Sequence, residues 1–279
     1  MLSMRAGKLF DSIDPFASDD SAATCGEEPA KVFWTWAEFL LEGAESIFGG
    51  GHVSNFLGPS QPELQNERAG RGMHHAGSYH DAIRPEPDTR VEPMTDKQIF
   101  LAHLASITGN LEPDIHMVRS EDAQLPDVAV LVYENWPKPG FITAFTYGLS
   151  LANHPDWKRG RCELMISMES LLHAWPFAIG SLVSRLRGRC PFGYGNTIKY
   201  GRSISEESDM DAFLVFAPPH LDRDQKAVRM TDYACFIAGV YPLYGSELDL
   251  YEQIQLEAFW HHPGWDPLNP LREVMRMVQ

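Results

Sequence analysis

The feature that most constrains the fold is a series of short apolar segments in the second half of the chain. They are rich in β-branched and aromatic residues and are bounded by Gly, Pro, Asn and Asp, which is typical of strands joined by turns. The segments are 114–119, VAVLVY at 128–133, FITAFTYGLS at 141–150, CELMISM at 162–168, AFLVFA at 212–217 and YACFIAGVYP at 233–242. Several are apolar on both faces, as expected of central strands that helices cover.

Three helices are predicted among these strands. The first opens with a capping box at Thr95. Its apolar positions are Ile99, Leu101, Leu104 and Ile107. The second spans 173–187, where Pro176 falls in the first turn and costs little. The third spans 245–260, with Ser246 as its N-cap. Strands next to strands with helices between the groups predict an α+β domain, in which helices cover a mixed, mostly antiparallel sheet.

The first third of the chain has a different character. Residues 1–49 form an N-terminal extension with one amphipathic helix at 31–48, whose aromatic face is expected to dock onto the main domain or to bind a partner. Residues 50–94 are dominated by Gly, Pro, Ser, Asn and charges without a period, which predicts a poorly ordered linker. Residues 95–279 are therefore predicted to be the single main domain.

Charge and cysteine usage restrict the class of partner. The net charge of −15 would repel nucleic acid and anionic membranes and would attract a basic protein. No apolar run has the length of a signal peptide core or a membrane span. The four cysteines, Cys25, Cys162, Cys190 and Cys235, show no paired short spacing and are interpreted as reduced thiols. We therefore expect a soluble, cytoplasmic protein.

Candidate reactive residues do not form a known catalytic pattern. Ser150 follows Gly148 but lacks the second glycine of a nucleophile turn, and its nearness to His154 is of a kind that is common by chance. FGYGNT at 192–197 lacks the Lys-Ser/Thr of a phosphate loop and is interpreted as a turn before a short strand. We predict no catalytic residue and no cofactor.

Histidine clusters are also poor metal candidates. His74, His75 and His80 lie in the predicted linker, where no rigid scaffold would support a metal. Adjacent histidines at 261 and 262 point about 100° apart on a helix, so both rarely reach one ion even with Asp266 nearby. A surface helix end is the better interpretation, and no metal site is predicted.

Two features are candidates for partner binding. One is a run of four carboxylates, which either forms a solvated face or steers a basic partner, and which lacks the ligand register of a calcium loop. The run consists of Glu206, Glu207, Asp209 and Asp211. The other is Trp136 in the turn NWPKPG, which is either an exposed apolar anchor or a hairpin side chain folded over the sheet.

The order of these segments resembles the suppressor-of-fused domain over about residues 98–265. The similar blocks are LPDVAVLVYENWPKPGFITAFTYGLS, CELMISM, WPFAIGSLVSRL, AFLVFAPP and VYPLYGSELDLYEQIQLEAF. The family's Thr-x-Gly-x-Ser turn matches 146–150, and its Glu-Leu strand matches Glu163 and Leu164. Its proline matches Pro218, and its Pro-x-x-x-x-Glu-Leu helix start matches 242–248.

This resemblance implies a mixed-sheet α+β domain that recognises proteins. Animal members bind and restrain a zinc-finger transcription factor through this domain and a second lobe. Nothing after Gln279 supplies that lobe, so this ligand is not carried over. Short members of the family are similar to bacterial proteins proposed as immunity proteins against secreted toxins.

The sequence-based hypothesis is therefore a non-catalytic, bacterial-type protein that neutralises a basic toxin by binding it. A rigid sheet edge would also allow a partner to add a strand. One alternative is a regulatory scaffold recruited through Trp34 and Trp36. A second is an enzyme that uses buried carboxylates such as Glu163 or Glu247. If the chain is not an enzyme, the charge of Glu247 stabilises the first turn of the helix, and Glu163 occupies an exposed position on its strand.

Overall fold

A computed structural model describes residues 24–25 and 93–277 of the 279 residues. The strands are β1 (Thr24–Cys25), β2 (Asp114–Val118), β3 (Val128–Glu134), β4 (Ile142–Tyr147), β5 (Arg161–Met168), β6 (Thr197–Lys199), β7 (Ala212–Phe216), β8 (Ala227–Arg229) and β9 (Ala234–Leu243). The helices are α1 (Asp96–Thr108), α2 (Ala174–Leu186) and α3 (Ser246–Trp260), with a 3₁₀ turn at Arg223–Gln225. The predicted helix at 31–48, the linker at 50–94 and the histidines at 74, 75 and 80 lie outside the described residues.

The strands form one mixed sheet in the order β1-β6-β7-β9-β5-β4-β3-β2, and β8 pairs with β9 beside this path. β2 to β5 follow one another as antiparallel neighbours. The one parallel pair within the described chain joins β5 to β9. The predicted α+β class and the mostly antiparallel sheet are therefore confirmed.

Helices cover both faces of the sheet, which explains the strands that are apolar on both sides. Val128, Val130 and Val132 of β3 belong to the core beneath α2. The alternating residues Leu131 and Tyr133 belong to the core that includes α1. α3 packs on the ends of β7 and β9. Because side chains alternate along a strand, one apolar strand contributes to two cores.

The helix starts show which local predictions are correct. Thr95 and Gln98 form the predicted capping box at α1. The buried residues of α1 are Phe100, Leu104 and Thr108, and the half-buried Ile99, Leu101 and Ile107 pack against the same core. The N-cap of α3 is Gly245 rather than Ser246. Packing on the sheet selects the face, and sequence spacing alone does not show where the sheet lies.

Two findings bear on the class of protein. No helix in the described part of the chain is long and apolar enough to span a membrane. Cys162 and Cys235 are free thiols, but Cys190 is disulfide-bonded, so the prediction of reduced thiols is wrong at this position. The spacing of cysteines along a sequence does not report their separation in the folded chain.

Candidate functional site

The predicted acidic residues lie in the connection between β6 and β7. We call residues 200–211 the acidic loop. The backbone N–H of Tyr200 donates to the carbonyl of Asp211 at 2.8 Å, and that of Ile204 donates to the carbonyl of Met210 at 2.9 Å. The side chains of Ile204 and Met210 are buried in the core beneath α2. The two arms of the loop are therefore bonded to each other, the N–H of Asp211 donates to the carbonyl of Leu243 in β9 at 3.0 Å, and the buried side chains hold the loop against the core.

Two of the four carboxylates fasten this loop internally. Glu207 is half-buried and accepts hydrogen bonds from Ser170 Oγ at 2.5 Å and from Trp175 Nε1 at 2.7 Å. Asp211 is also half-buried and accepts from the backbone N–H of Gly245 at 2.5 Å. These carboxylates join the loop to the starts of α2 and α3. One carboxylate oxygen of each residue accepts these internal hydrogen bonds.

The other two carboxylates, Glu206 and Asp209, are exposed. Within residues 93–277, neither side chain makes a hydrogen bond or an ion pair. They lie on a loop whose backbone is fixed by its neighbours, so little backbone conformational entropy would be lost if a partner bound them. The structure thus divides the predicted acidic run into an inward pair and an outward pair.

The acidic loop and the beginning of α2 border a cavity of about 510 Å³ that is largely open to solvent. Residues 172–174 and 203–206 line it, and they include the outward Glu206. The imidazole of His173 lies at the wall, and its Nε2 is 3.0 Å from Glu134 Oε1. A sequence pattern could not reveal this cavity, because its two walls are about thirty residues apart in the chain.

Trp136 is not in the acidic loop. Its ring is half-buried and packs 6.2 Å from Phe145 and 6.2 Å from His220, measured between ring centroids. This is the arrangement expected of a hairpin side chain folded over the sheet. A role for Trp136 as a partner anchor stays a prediction.

β2 is a second candidate surface. This strand lies at one end of the sheet and pairs with β3. Ile115 and Met117 are on the same face of β2 and are 50% and 61% exposed. An edge strand with apolar side chains can accept a further strand.

The buried carboxylate of Glu163 supports the turn at 146–150. It is fully buried, so the predicted exposed position on the strand is wrong. Thr146 Oγ1 donates to it at 2.7 Å and the backbone N–H of Gly148 at 2.9 Å. Ser150 donates through its backbone N–H at 2.9 Å and its Oγ at 2.7 Å. Burial raises the pKa of Glu163, and these hydrogen bonds oppose the shift.

Glu247 is the second fully buried carboxylate. It lies in the first turn of α3, as predicted, and forms a bidentate ion pair with Arg272. The two N···O distances are 2.5 Å and 2.6 Å. The backbone N–H groups of Met275 and Tyr244 also donate to Glu247, at 2.8 Å and 3.1 Å. The carboxylate is used to join α3 to the C-terminal segment.

The other residues considered as nucleophiles or bases also make hydrogen bonds within the protein or are buried. Ser150 Oγ donates to a carboxylate and not to a histidine, and His154 Nδ1 accepts from the backbone N–H of Asp156 at 3.2 Å. Burial raises the pKa of the Cys162 and Cys235 thiols, which disfavours the nucleophilic thiolate. Among residues 24–25 and 93–277, no three His, Cys, Asp or Glu side chains are placed to hold a metal ion.

Comparison with known proteins gives one family and one fold. The family described as suppressor of fused protein (SUFU) matches residues 124–273, just over half of the chain. The crystal structure of a SUFU homolog from Neisseria gonorrhoeae FA 1090 is 19% identical, covers 65% of this chain and 97% of that chain, and has a TM-score of 0.51. At this identity the likeness shows a shared fold. No curated protein sequence matches the chain.

Two other structures are more distant. Drosophila Suppressor of Fused is 15% identical, with 65% of this chain and 51% of that chain covered and a TM-score of 0.47. A chain of the Sufu–Fu complex is 14% identical, with 63% and 89% covered and a TM-score of 0.45.

Proposed function

Because the chain belongs to the suppressor of fused family, we propose that it is a non-catalytic protein-binding domain whose partner contacts the acidic loop. The observation that carries this proposal is the division of the four carboxylates. Glu207 and Asp211 fix the loop, and Glu206 and Asp209 are left exposed on it. A rigid loop with unpaired surface carboxylates beside a cavity is suited to a basic protein surface.

The partner class that fits best is a basic protein toxin, which the chain would neutralise by covering its active surface in the cytoplasm. The net charge of −15 supports fast association with such a partner. Binding needs no reactive group, and the two fully buried carboxylates, Glu163 and Glu247, are engaged in internal hydrogen bonds. Cell fractionation tests the proposed cytoplasmic location, and recovery of the chain in an oxidising compartment, which a disulfide at Cys190 would suit, would contradict it.

The test uses the whole chain as bait in a lysate of the organism that encodes it. The double variant Glu206→Gln/Asp209→Asn is compared with Glu257→Gln/Asp266→Asn, which neutralises two exposed carboxylates elsewhere. For the captured protein, we expect the first variant to lower the association rate roughly tenfold at low salt and to flatten its salt dependence. The control variant should behave as the wild type, and equal rates for both variants would exclude the acidic loop.

Toxin neutralisation is tested with the captured protein. Its expression alone should arrest growth, and coexpression with the wild-type chain should restore growth. Coexpression with Glu206→Gln/Asp209→Asn should restore growth less well. A captured protein that is harmless when expressed alone would contradict the immunity function and favour a regulatory scaffold.

The scaffold alternative predicts recruitment through residues 31–48, which the sequence predicts to be helical. Deleting residues 1–49 would also remove β1, which pairs with β6, so the deletion does not isolate that helix. The variant Trp34→Ala/Trp36→Ala leaves β1 unchanged. Loss of capture by this variant, with capture kept by the acidic-loop variant, would support the scaffold.

A further inference from the structure

The sheet ends at β2, whose outer edge pairs with no other strand of the described chain. All five residues of β2 are in register with β3, so the strand is regular over its length. Edge strands are usually protected from pairing with another chain by a lysine, a proline or a bulge. Between residues 114 and 118, β2 has none of these. Its outer backbone groups are therefore free to bond to a further strand.

The two faces of β2 have different surroundings. His116 and Val118 face α2, where the His116 ring lies 5.0 Å from the Phe177 ring, measured between centroids, and Val118 packs on the core. Ile115 and Met117 point to the opposite face and are 50% and 61% exposed. One face of β2 is thus anchored beneath α2, and the other carries apolar side chains that remain in water.

The sequence of β2 is complementary to itself when a second copy runs antiparallel. A two-fold axis at His116 pairs all five residues of each strand, Asp114–Val118, with the five of the other. Ile115 of one copy then lies opposite Met117 of the other, and this pair occurs twice. Side chains directly opposite each other on one face are about 5 Å apart, so the four exposed apolar side chains form one cluster.

The charges that flank β2 favour the same antiparallel register. Glu112, Asp114 and Arg119 are exposed. Among the described residues, neither Glu112 nor Arg119 forms an ion pair. In this register Arg119 of one copy lies opposite Pro113 of the other, between Glu112 and Asp114. Each end of the contact thus brings one arginine close to two carboxylates, whereas parallel strands would bring like charges together.

We propose that two copies of the chain associate through their β2 strands, antiparallel about His116, and so form one continuous sheet. The contact uses the same surface on both copies, as a two-fold dimer requires. Main-chain hydrogen bonds between the strands supply affinity, and the apolar cluster with the flanking charges fixes the register. Two five-residue strands bury little surface, so the dimer dissociates readily on dilution. This inference does not depend on what binds the acidic loop.

Sedimentation velocity of the whole chain over a wide range of concentrations tests the association. At about 0.15 M salt, repulsion between two acidic chains is screened beyond about 8 Å. We expect the average mass to rise from one chain towards two as concentration increases. Hydrogen exchange at the outer N–H groups of residues 114–118 should slow in parallel, because these groups become bonded in the dimer.

A chain that stays monomeric at every concentration would overturn the proposal. Fast exchange at residues 114–118 in that monomer would leave the edge to a different protein. Slow exchange there in the monomer would show that another segment of the same chain covers the edge. A dimer in which exchange at residues 114–118 is unchanged would place the contact elsewhere and would also overturn the proposal.

Two opposite charges test the register. Ile115→Lys and Met117→Glu, studied separately, should each weaken the dimer about tenfold or more, since each places a charge in the apolar cluster. Both positions are exposed, so the monomers should keep the circular dichroism of the wild type. Leu271→Lys, which changes a side chain that is 69% exposed in another segment, is the matched control and should dimerise as the wild type.

Mixing the two variant proteins gives the sharper result. In the mixed dimer the introduced charges lie directly opposite each other once, so association should be about threefold tighter than for either variant alone. No recovery on mixing would contradict the antiparallel register about His116.

The flanking charges are tested by Arg119→Glu. This change should weaken the dimer about fivefold, because it places a carboxylate beside Glu112 and Asp114 of the other copy. Arg276→Glu, at an exposed position of the C-terminal segment, alters the net charge by the same amount and should leave the dimer unchanged. Equal effects of the two changes would contradict the proposed register.

Discussion

At the scale of single residues, the turn at 146–150 is organised by one carboxylate. Four hydrogen-bond donors from Thr146, Gly148 and Ser150 converge on Glu163. Gly148 has φ of 146°, and a Cβ there would lie 3.2 Å from Val128 Cα, so a side chain would be both strained and crowded. The Thr-x-Gly-x-Ser sequence and the glutamate on β5 are therefore explained by the geometry of this turn and need no catalytic role.

Glu163→Gln should lower the free energy of unfolding by about 1–3 kcal/mol for each N–H or O–H donor left without an acceptor. The change places an NH₂ group either at Oε2, where the Thr146 hydroxyl and the Leu149 N–H donate, or at Oε1, where three donors from Gly148 and Ser150 meet. Urea unfolding at neutral pH measures the loss, and Glu252→Gln on the exposed side of α3 is the control. A loss no larger than that of the control would show that the carboxylate does not stabilise the turn.

The free energy of unfolding of the wild type and that of Glu163→Gln should depend differently on pH. The raised pKa of Glu163 means that the folded state binds this proton more tightly than the unfolded chain, whose reference value is 4.5. The free energy of unfolding therefore falls as pH rises from about 4.5 towards the folded pKa. Relative to Glu163→Gln, the wild type should gain stability on acidification across this window. A difference that is constant with pH would contradict the shift.

At the scale of elements, α2 lies against the sheet through a glycine. A Cβ at Gly180 would lie 2.6 Å from Val130 Cγ2 and 2.8 Å from Val118 Cγ2. These distances are too short, and the valines are stiff side chains in β3 and β2. Glycine is unfavourable inside a helix. Its presence here indicates that close contact between α2 and the sheet outweighs helix propensity.

Gly180→Ala should therefore destabilise the protein although alanine is the better helix former. Overpacking lowers the free energy of unfolding by about 1–3 kcal/mol, whereas the better helix propensity of alanine raises it by about 1 kcal/mol or less. The expected net loss is about 1 kcal/mol in urea unfolding. Ser181→Ala, at the next and less buried position of α2, is the control. A stabilised Gly180→Ala protein would show that α2 can move away from the sheet at no cost.

At the scale of the whole molecule, the segment after α3 is held against α3 and the sheet, and Arg272 makes several of the contacts that hold it. Arg272 is buried, pairs with Glu247 and stacks on Tyr244 and Trp265 at 5.3 Å and 5.0 Å. Met275 follows it into the core of α3, β7 and β9. These contacts join residues 261–277 to the sheet.

Arg272→Met should leave the buried carboxylate of Glu247 without its counter-charge. Removing one partner of a buried ion pair costs about 3–5 kcal/mol. We expect that loss in urea unfolding, together with faster hydrogen exchange in residues 261–277. Arg276→Met, which changes an exposed arginine in the same segment, is the control. Unchanged exchange in this segment would contradict the role of Arg272.

The sequence by itself determined the longer strands and the three helices within residues 93–277. Continuous apolar runs rich in β-branched and aromatic residues located β3, β4, β5, β7 and β9, because strands that are covered on both faces need apolar side chains at almost every position. The capping box at Thr95 is likewise local. The order of the similar segments along the sequence also indicated the family. Short pieces such as β1 and β8, with two and three residues, are too brief to show a period.

Only the tertiary structure decided which carboxylates remain exposed. Glu206 and Glu207 are neighbours of the same type, yet one faces solvent and the other bonds to Ser170 and Trp175. The burial of Glu163, the parallel pairing of β5 with β9 and the cavity beside α2 also depend on segments far apart in the chain. Such contacts are made by the folded backbone, so residue type and local spacing do not contain them.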